Sequence, residues 1–514
     1  MTDDTNRALA NVRSTAIDGR LHNVYWRQDQ LRNLHSTLVS HEAAVLEATT
    51  KDARNITLAE AKAEFYLALA AVKQHFLSLN PERELEHEYR VAHGQDAADR
   101  RDPVGIVYIE PQSPHTPFYS TMVPLASAIT AGNCVVVQLE TTLQSLPPVL
   151  RQILTAALDP DVFALVPTRP PPSFFAAPPT VVSVLQNGGG GEEMTPTSGA
   201  PSSSLILSPT SSLAVAIVER NADLGAAAKA LVTARFGFGG RSPYAPDVVL
   251  VNEFAKEAFL NAVVQESIRY MAAGEKSNGV ANGKLGGGGR KGGPSAVEEL
   301  KNEAGVRVVT AGSNGAILDV EKRDSAALGR KIGERCLVVH ATTSLDDGID
   351  LTNRIAGPSP LATYFFADPA SCKYMSQFTA AHLSFANHFP LDLLVGPAAP
   401  TTAPLDTTDR FPPSLFTVAR PQYAKPSPLS ARLSGILQAA ASSSGSGSGN
   451  SEALKSLKTE ATSALPPNRP YKKNIGFFEQ GIMLGLGITA VPLLSGLGLL
   501  TWYGSRTLLT YWRG

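Results

Sequence analysis

The sequence predicts an α/β protein: N-terminal helices, two doubly wound α/β units, and a C-terminal helix able to span a membrane. Three observations carry this expectation. Short β-branched runs alternate with helix-length segments between residues 104 and 236, the same alternation restarts near Tyr244, and residues 480–505 contain no charged side chain. The chain has 514 residues, 43% hydrophobic and 18% charged, a globular balance that excludes wholesale disorder. Lys and Arg number 45 against 46 Asp and Glu, so no global field recruits nucleic acid. The three cysteines, Cys134, Cys336 and Cys372, are widely spaced without a CxxC pair, which argues against a disulfide framework or a metal site and fits a reducing compartment. The N-terminus lacks the apolar core of a secretory signal.

In the first hundred residues, Leu31, Leu34, Leu38 and Val45, then Leu58, Phe65, Leu69, Val72 and Phe76, recur at three- and four-residue steps and so form helical stripes. Strand 104–109, helix 119–130 and strand 133–138 follow, the unit of a parallel sheet. Helix 146–157, the run 162–166, strands 180–185 and 213–218, and helix 223–236 extend the pattern. A second series has strand 248–251, helix 254–270, and strands at 307–310, 316–319, 336–340 and 361–366. The expected division is a helical segment 1–100, a Rossmann-like domain 101–238, a second α/β domain 239–400, a closing segment with a Gly/Ser linker 401–470, and a membrane span 480–505.

Low-complexity stretches at 186–204, 274–295 and 439–451 read as loops, because they carry too little apolar surface to offset their ordering entropy. The proline-dense patch 167–179 reads as extended. The glycine runs at Gly188 and Gly286 lack the spacing of a phosphate loop. At the C-terminus, Arg469, Lys472 and Lys473 precede the apolar run, and Trp502, Tyr503, Tyr511 and Trp512 lie at its far end. This is the pattern of a tail anchor with a cytosolic bulk, on an endoplasmic reticulum or peroxisomal membrane.

Several phrases, in collinear order over nearly the whole chain, resemble the aldehyde dehydrogenase superfamily, class 3 or fatty-aldehyde type. Asp102-Pro103-Val104-Gly105-Ile106-Val107, Thr116-Pro117-Phe118 and the run 123–137 are similar to PxGVV, NYPF and PLxxAIAAGNxVV. Ala222-Asp223-Leu224, Ala245-Pro246-Asp247 and the stretch 344–350 resemble DxDL, CxAPDY and the segment after EIFGP. Pro466-Pro467-Asn468 ahead of an apolar tail is similar to the membrane-held fatty-aldehyde enzymes.

The resemblance implies a thiolate that captures the aldehyde, a carboxylate base, an oxyanion donor and a bound NAD or NADP. Each implied position is altered. The nucleophile's place holds Pro243, with Ser242 beside it as a weak substitute. The base of ELGGK falls on Ile206 or Pro209, and the Asn of NYPF falls on His115, expected as a solvated loop histidine. The ribose-binding Lys of VVxK is Gln138, the Glu of EIFGP is Lys331, and the pyrophosphate-binding GSTxVG is replaced by the glycine- and proline-rich stretch 188–201. The expectation is a membrane-anchored relative that has become a pseudoenzyme without a cofactor, pairing with itself or with an active relative, or holding an apolar ligand near a membrane. The alternative is an active NAD(P)-dependent oxidoreductase of long-chain or apocarotenoid aldehydes.

Overall fold

In the computed structural model the described residues are 3–53, 56–188, 205–272, 296–312, 314–357, 359–401, 404–442, 452–466 and 477–512. Helices α1 (Asp3–Asp18), α2 (Val24–Ser40), α3 (Glu42–Asp52), α4 (Leu58–Ser78) and α5 (Pro81–Tyr89) open the chain. α4 begins with a capping box: the Thr57 hydroxyl accepts from the Glu60 N–H, and the Glu60 carboxylate accepts from the Thr57 N–H. The predicted stripes are buried at Leu31, Leu34, Leu38, Val45, Phe65 and Val72. Leu58, first in its helix, is exposed.

Strand β1 (Arg101–Pro103) is followed by β2 (Ile106–Glu110), α6 (Pro117–Thr130), β3 (Cys134–Gln138), α7 (Leu146–Ala157), β4 (Phe163–Val166), α8 (Pro172–Ala176), β5 (Val181–Leu185) and β6 (Leu205–Leu207). The five strands from β2 to β6 form a parallel sheet in the order β4-β3-β2-β5-β6. The chain builds outward from β2 through β3 to β4, then returns to lay β5 on the other side of β2. The switch point therefore lies between β2 and β5, and it is outside the carboxyl ends of such strands that doubly wound sheets form crevices.

The second sheet collects β7 (Ala214–Val218), then α9 (Leu224–Phe236), β8 (Val248–Asn252), α10 (Lys256–Ala272), α11 (Ala296–Lys301), β9 (Val306–Gly312), β10 (Gly315–Val320), β11 (Cys336–Thr342), α12 (Leu345–Ile355), β12 (Ala362–Phe366), α13 (Pro369–Phe378) and β13 (Leu383–Ala386). Its order is β13-β12-β7-β8-β11-β10-β9, parallel except for β9 against β10. β2, β3, β7, β8 and β12 are buried along almost their whole length, as parallel strands covered on both faces must be. β14 (Thr417–Ala419) closes antiparallel on β1, pairing Asp102 with Val418.

The structure differs from the sequence expectation in several places, one being residues 439–442, which read as part of a low-complexity loop and instead end the helix Pro428–Ser442, whose alanines are strong helix formers. Ala214–Val218 and α9, which alternation places in the domain 101–238, belong to the second sheet, so the sheets change over between β6 and β7. Alternation alone does not say which sheet a strand joins. β6, an unforeseen strand, is only three residues long. The proline patch contains α8, where Pro172 sits in the first turn, the place in a helix that tolerates a missing N–H. The insertions at 189–204, 273–295 and 443–451, which include most of the glycine runs, lie outside the described residues, as do Pro467, Asn468, Arg469, Lys472 and Lys473.

Residues Met1–Lys425 form one unit and Pro426–Gly514 another. The second contains α14 (Pro428–Ser442), α15 (Glu452–Thr462) and α16 (Phe477–Tyr511). Within α16, Glu479–Arg506 is long and apolar enough to cross a membrane, and its most apolar window is not covered by protein. Its 28 residues correspond to ~42 Å at 1.5 Å per residue, enough for a ~30 Å hydrocarbon layer with tilt.

Candidate functional site

The loop between α9 and β8 carries the nucleophile position. It leaves the helix through Phe238, Gly239 and Gly240, with φ of 48°, 69° and 73°. At Gly240 a Cβ would lie 2.4 Å from the Glu334 carbonyl, so both the conformation and the space require glycine.

Arg235, at the end of α9, is fully buried and fixes this loop from inside. It donates to the carbonyls of Gly240, Ile332 and Glu334 and pairs with Asp247 at 3.4 Å. Asp247 in turn accepts from the Ala214 N–H at 2.9 Å, the Ile332 N–H at 3.0 Å and Lys331 Nζ at 2.9 Å. Lys331 also donates to the Pro243 carbonyl at 2.6 Å. Burial lowers the Lys331 pKa, and Asp247 opposes that shift. The lysine that stands where a ribose ligand is expected is thus part of a structural ion cluster beneath the loop, bound to the carbonyl of Pro243.

Pro243 is buried and offers no reactive group. The Ser242 hydroxyl, 1% exposed, donates to the Leu393 carbonyl at 3.2 Å. His115 is also 1% exposed, which overturns the expectation of a solvated histidine. Its Nε2 donates to the Leu394 carbonyl at 2.9 Å, and its ring meets Phe238 edge-on. Burial pushes its pKa down to about 3, so it is neutral and its one N–H is already committed. The segment that supplies both carbonyls is held in place: the Gly396 N–H donates to Thr116 Oγ1 at 2.9 Å, and Arg410 donates to the carbonyls of Asp392 at 2.6 Å and Pro397 at 3.0 Å. The structure therefore brings His115, Ser242 and Pro243 to one segment, where consecutive carbonyls occupy the donor and the hydroxyl.

The expected base positions carry no carboxylate. Ile206 is buried in β6, and Pro209 is half-buried beyond it. A carboxylate missed in the sequence is Glu64 on α4, 1% exposed, accepting from the Tyr119 N–H at 3.1 Å near the start of α6. Its place three residues after Ala61 and four before Ala68, both buried, was the available signal. Desolvation raises its pKa to about 7 from an ordinary 4.5, while the N–H groups of Tyr119 and Phe118 oppose the rise. A raised acid pKa means that the folded state holds the proton longer, so stability falls as pH rises through this window. Relative to Glu64→Gln, the wild type is expected to lose roughly 2–3 kcal/mol between pH 4.5 and pH 8, measured by paired urea titrations.

Glu64 lines a cavity of about 310 Å3 at the carboxyl ends of β2 and β3, between α3, α4 and the start of α7. Gln138 lines it too, and its amide oxygen accepts from the Tyr108 hydroxyl. Among the described residues, the charged lining is Asp52, Glu64, Glu110 and Glu140 against Arg241 alone. The helix N-termini that reach this cavity are already taken. Asp52 accepts from the N–H groups of Ser145 and Leu146 at α7, both at 2.7 Å, and Glu64 serves α6. A nucleotide diphosphate would meet carboxylates where it needs free N–H groups, so the described residues do not fit the dinucleotide that the resemblance implies.

The thiols do not supply a replacement nucleophile. Burial pushes Cys134 and Cys336 up to about 12 and raises Cys372. Cys372 Sγ lies against the carbonyls of Phe365 and Ala367, both at 3.6 Å. None of the three lines the cavity.

The paired α/β sheets with a loop centre define a dehydrogenase-type scaffold. A sequence model of the aldehyde dehydrogenase family matches residues 2–316, and the chain belongs to that family. Curated relatives include aldehyde dehydrogenase family 3 comG of Dictyostelium discoideum, 24% identical over 156 residues, or 30% of this chain and 33% of that protein. Family 3 member B1 of Rattus norvegicus is 27% identical over 169 residues, 32% of this chain and 35% of the relative. The matches thus span about a third of each relative's length. Among solved structures, Staphylococcus aureus AldH superposes with a TM-score of 0.61 at 15% identity, covering 83% of this chain and 95% of that one. The glyceraldehyde-3-phosphate dehydrogenase GapN of Methanocaldococcus jannaschii, solved with NADP, gives 0.60 at 16% identity, covering 82% and 94%. These likenesses establish the fold.

Proposed function

We propose that this chain is an aldehyde dehydrogenase-family protein that keeps the scaffold without the oxidation chemistry, held at an endoplasmic reticulum or peroxisomal membrane by Glu479–Arg506, and acting by binding. One observation carries the reading. Pro243 stands at the nucleophile position, while the adjacent Ser242 hydroxyl and the His115 N–H are bonded to the carbonyls of Leu393 and Leu394. Covalent capture of an aldehyde needs a thiolate or an activated hydroxyl and a free oxyanion donor. A hydroxyl that donates to a backbone carbonyl has its proton engaged there and is not activated as a nucleophile. Self-pairing, or pairing with an active relative, is the binding role proposed from the family resemblance.

The test is thermal unfolding of the full-length chain with NAD or NADP. A cofactor present at 100 times its dissociation constant stabilises by ~2.7 kcal/mol. The expected result is no shift with either; a saturable shift would contradict the reading.

A further inference from the structure

The cavity bounded by Glu64 and Gln138 excludes an anion by its lining but is not closed off as a void. At about 310 Å3 it has the volume of a compact ligand site and lies outside the carboxyl ends of β2 and β3, beside the switch point between β2 and β5. Its wall contains a buried, incompletely bonded amide: Gln112 is 6% exposed, and its Oε1 has no hydrogen-bond partner among the described residues. A buried acceptor without a donor is costly, and a ligand N–H would relieve it. The charges point the same way. Asp52 and Glu64 are offset in part by the helix N-termini they cap, whereas among the described residues the Glu110 carboxylate accepts a long 3.4 Å contact from Asn187, and Glu140 is exposed at the rim. Arg241, the one lining cation among the described residues, donates to the Pro114 carbonyl at 3.1 Å. The lining is net negative, with acceptors to spare.

We infer that this cavity binds a small ligand bearing an ammonium or guanidinium group, with Glu110 and Glu64 supplying the charge and Gln112 an acceptor. The inference goes beyond the loss of oxidation chemistry and rests on that reading only in taking the cavity to be free of a dinucleotide. A cation here would gain from carboxylates held in a partly desolvated wall, where a charge pair is worth more than at an open surface.

The experiment is calorimetric titration of the full-length chain at pH 8, where Glu64 is ionised and putrescine is still a dication, with putrescine, using the isosteric neutral diol 1,4-butanediol and NAD as comparisons. Putrescine is expected to bind saturably and the diol not at all. Glu110→Gln, which keeps the shape of a half-buried side chain, is expected to weaken putrescine roughly tenfold, equivalent to ~1.4 kcal/mol. Glu64→Gln is expected to do the same while preserving an acceptor for Tyr119. Equal behaviour of diamine and diol would overturn the inference, as would putrescine binding that neither substitution changes. If neither putrescine nor NAD binds, the inference fails and the loss of dehydrogenase chemistry stands; if NAD binds and Glu110→Gln alters it, both fail.

Discussion

Replacing Arg235 by methionine is expected to destabilise the Met1–Lys425 unit by ~3–5 kcal/mol, read as a lowered urea midpoint at unchanged slope. The guanidinium is fully buried and serves four backbone carbonyls from two separate loops, those of Gly240, Ala245, Ile332 and Glu334, as well as Asp247. Methionine fills much of the volume but donates nothing. The carbonyls of Gly240 and Ile332 would lose this donor inside the core, each at a desolvation penalty of ~1–3 kcal/mol, while that of Glu334 keeps the Cys336 N–H at 2.7 Å. Asp247 would keep Lys331 and two backbone N–H groups, which limits the loss to part of the cluster. Arg235→Lys is expected to recover little, because one ammonium does not reproduce a planar fork aimed at several acceptors. A loss below ~1 kcal/mol for the methionine variant would mean that the loop carrying Pro243 is held by something other than this ion cluster.

Ending the chain at Lys473 is expected to move the protein from the membrane pellet to the supernatant almost completely. The basis is the helix Glu479–Arg506, where Ile482, Leu484, Leu486, Leu493 and Leu499 are each more than half exposed. They point to different sides of the helix, so no single protein face accounts for them. Residues such as Leu and Ile favour the bilayer centre by ~0.3–0.6 kcal/mol apiece, while a charged residue there costs ~2.5–3.5 kcal/mol; the span carries its charges at its ends, Glu479 and Arg506. Pro492, inside the helix, is tolerated because its carbonyl partners can be rebonded locally. Sedimentation of the shortened chain with carbonate-washed membranes would contradict an anchor in this segment.

Much of the fold was legible in local sequence. β2, β3, β8 and β12 are apolar runs of the length and composition that only strands buried on both faces carry, and Asp223 marks the start of α9 by accepting from the Ala226 N–H at 3.0 Å. β6 was not legible, because three residues beside a low-complexity insertion give no period to count. The membership of β7 was not legible either, since its partners β8 and β12 are chosen by topology.

The site divides in the same way. Pro243, at the position where the resemblance implies the nucleophile, could be read directly in the sequence. The state of His115 could not: its neighbours Gln112, Ser113, Pro114, Thr116 and Pro117 look like a solvated turn, yet it is buried by Leu394, 279 residues further along. Glu64 was hidden for the opposite reason. It occupies a core position in a helix whose face is otherwise apolar, and only the fold shows that α6 begins against its carboxylate.

The most direct measurement is turnover: purified full-length chain, reconstituted in lipid, with NAD or NADP and saturated aldehydes from hexanal to hexadecanal, followed by reduced-cofactor absorbance. With the Ser242 hydroxyl and the His115 N–H both engaged by Leu393 and Leu394, reduction of either cofactor is expected to stay at the rate of the protein-free control. Aldehyde-dependent reduction that saturates with substrate and scales with protein concentration would contradict the loss of chemistry at this centre.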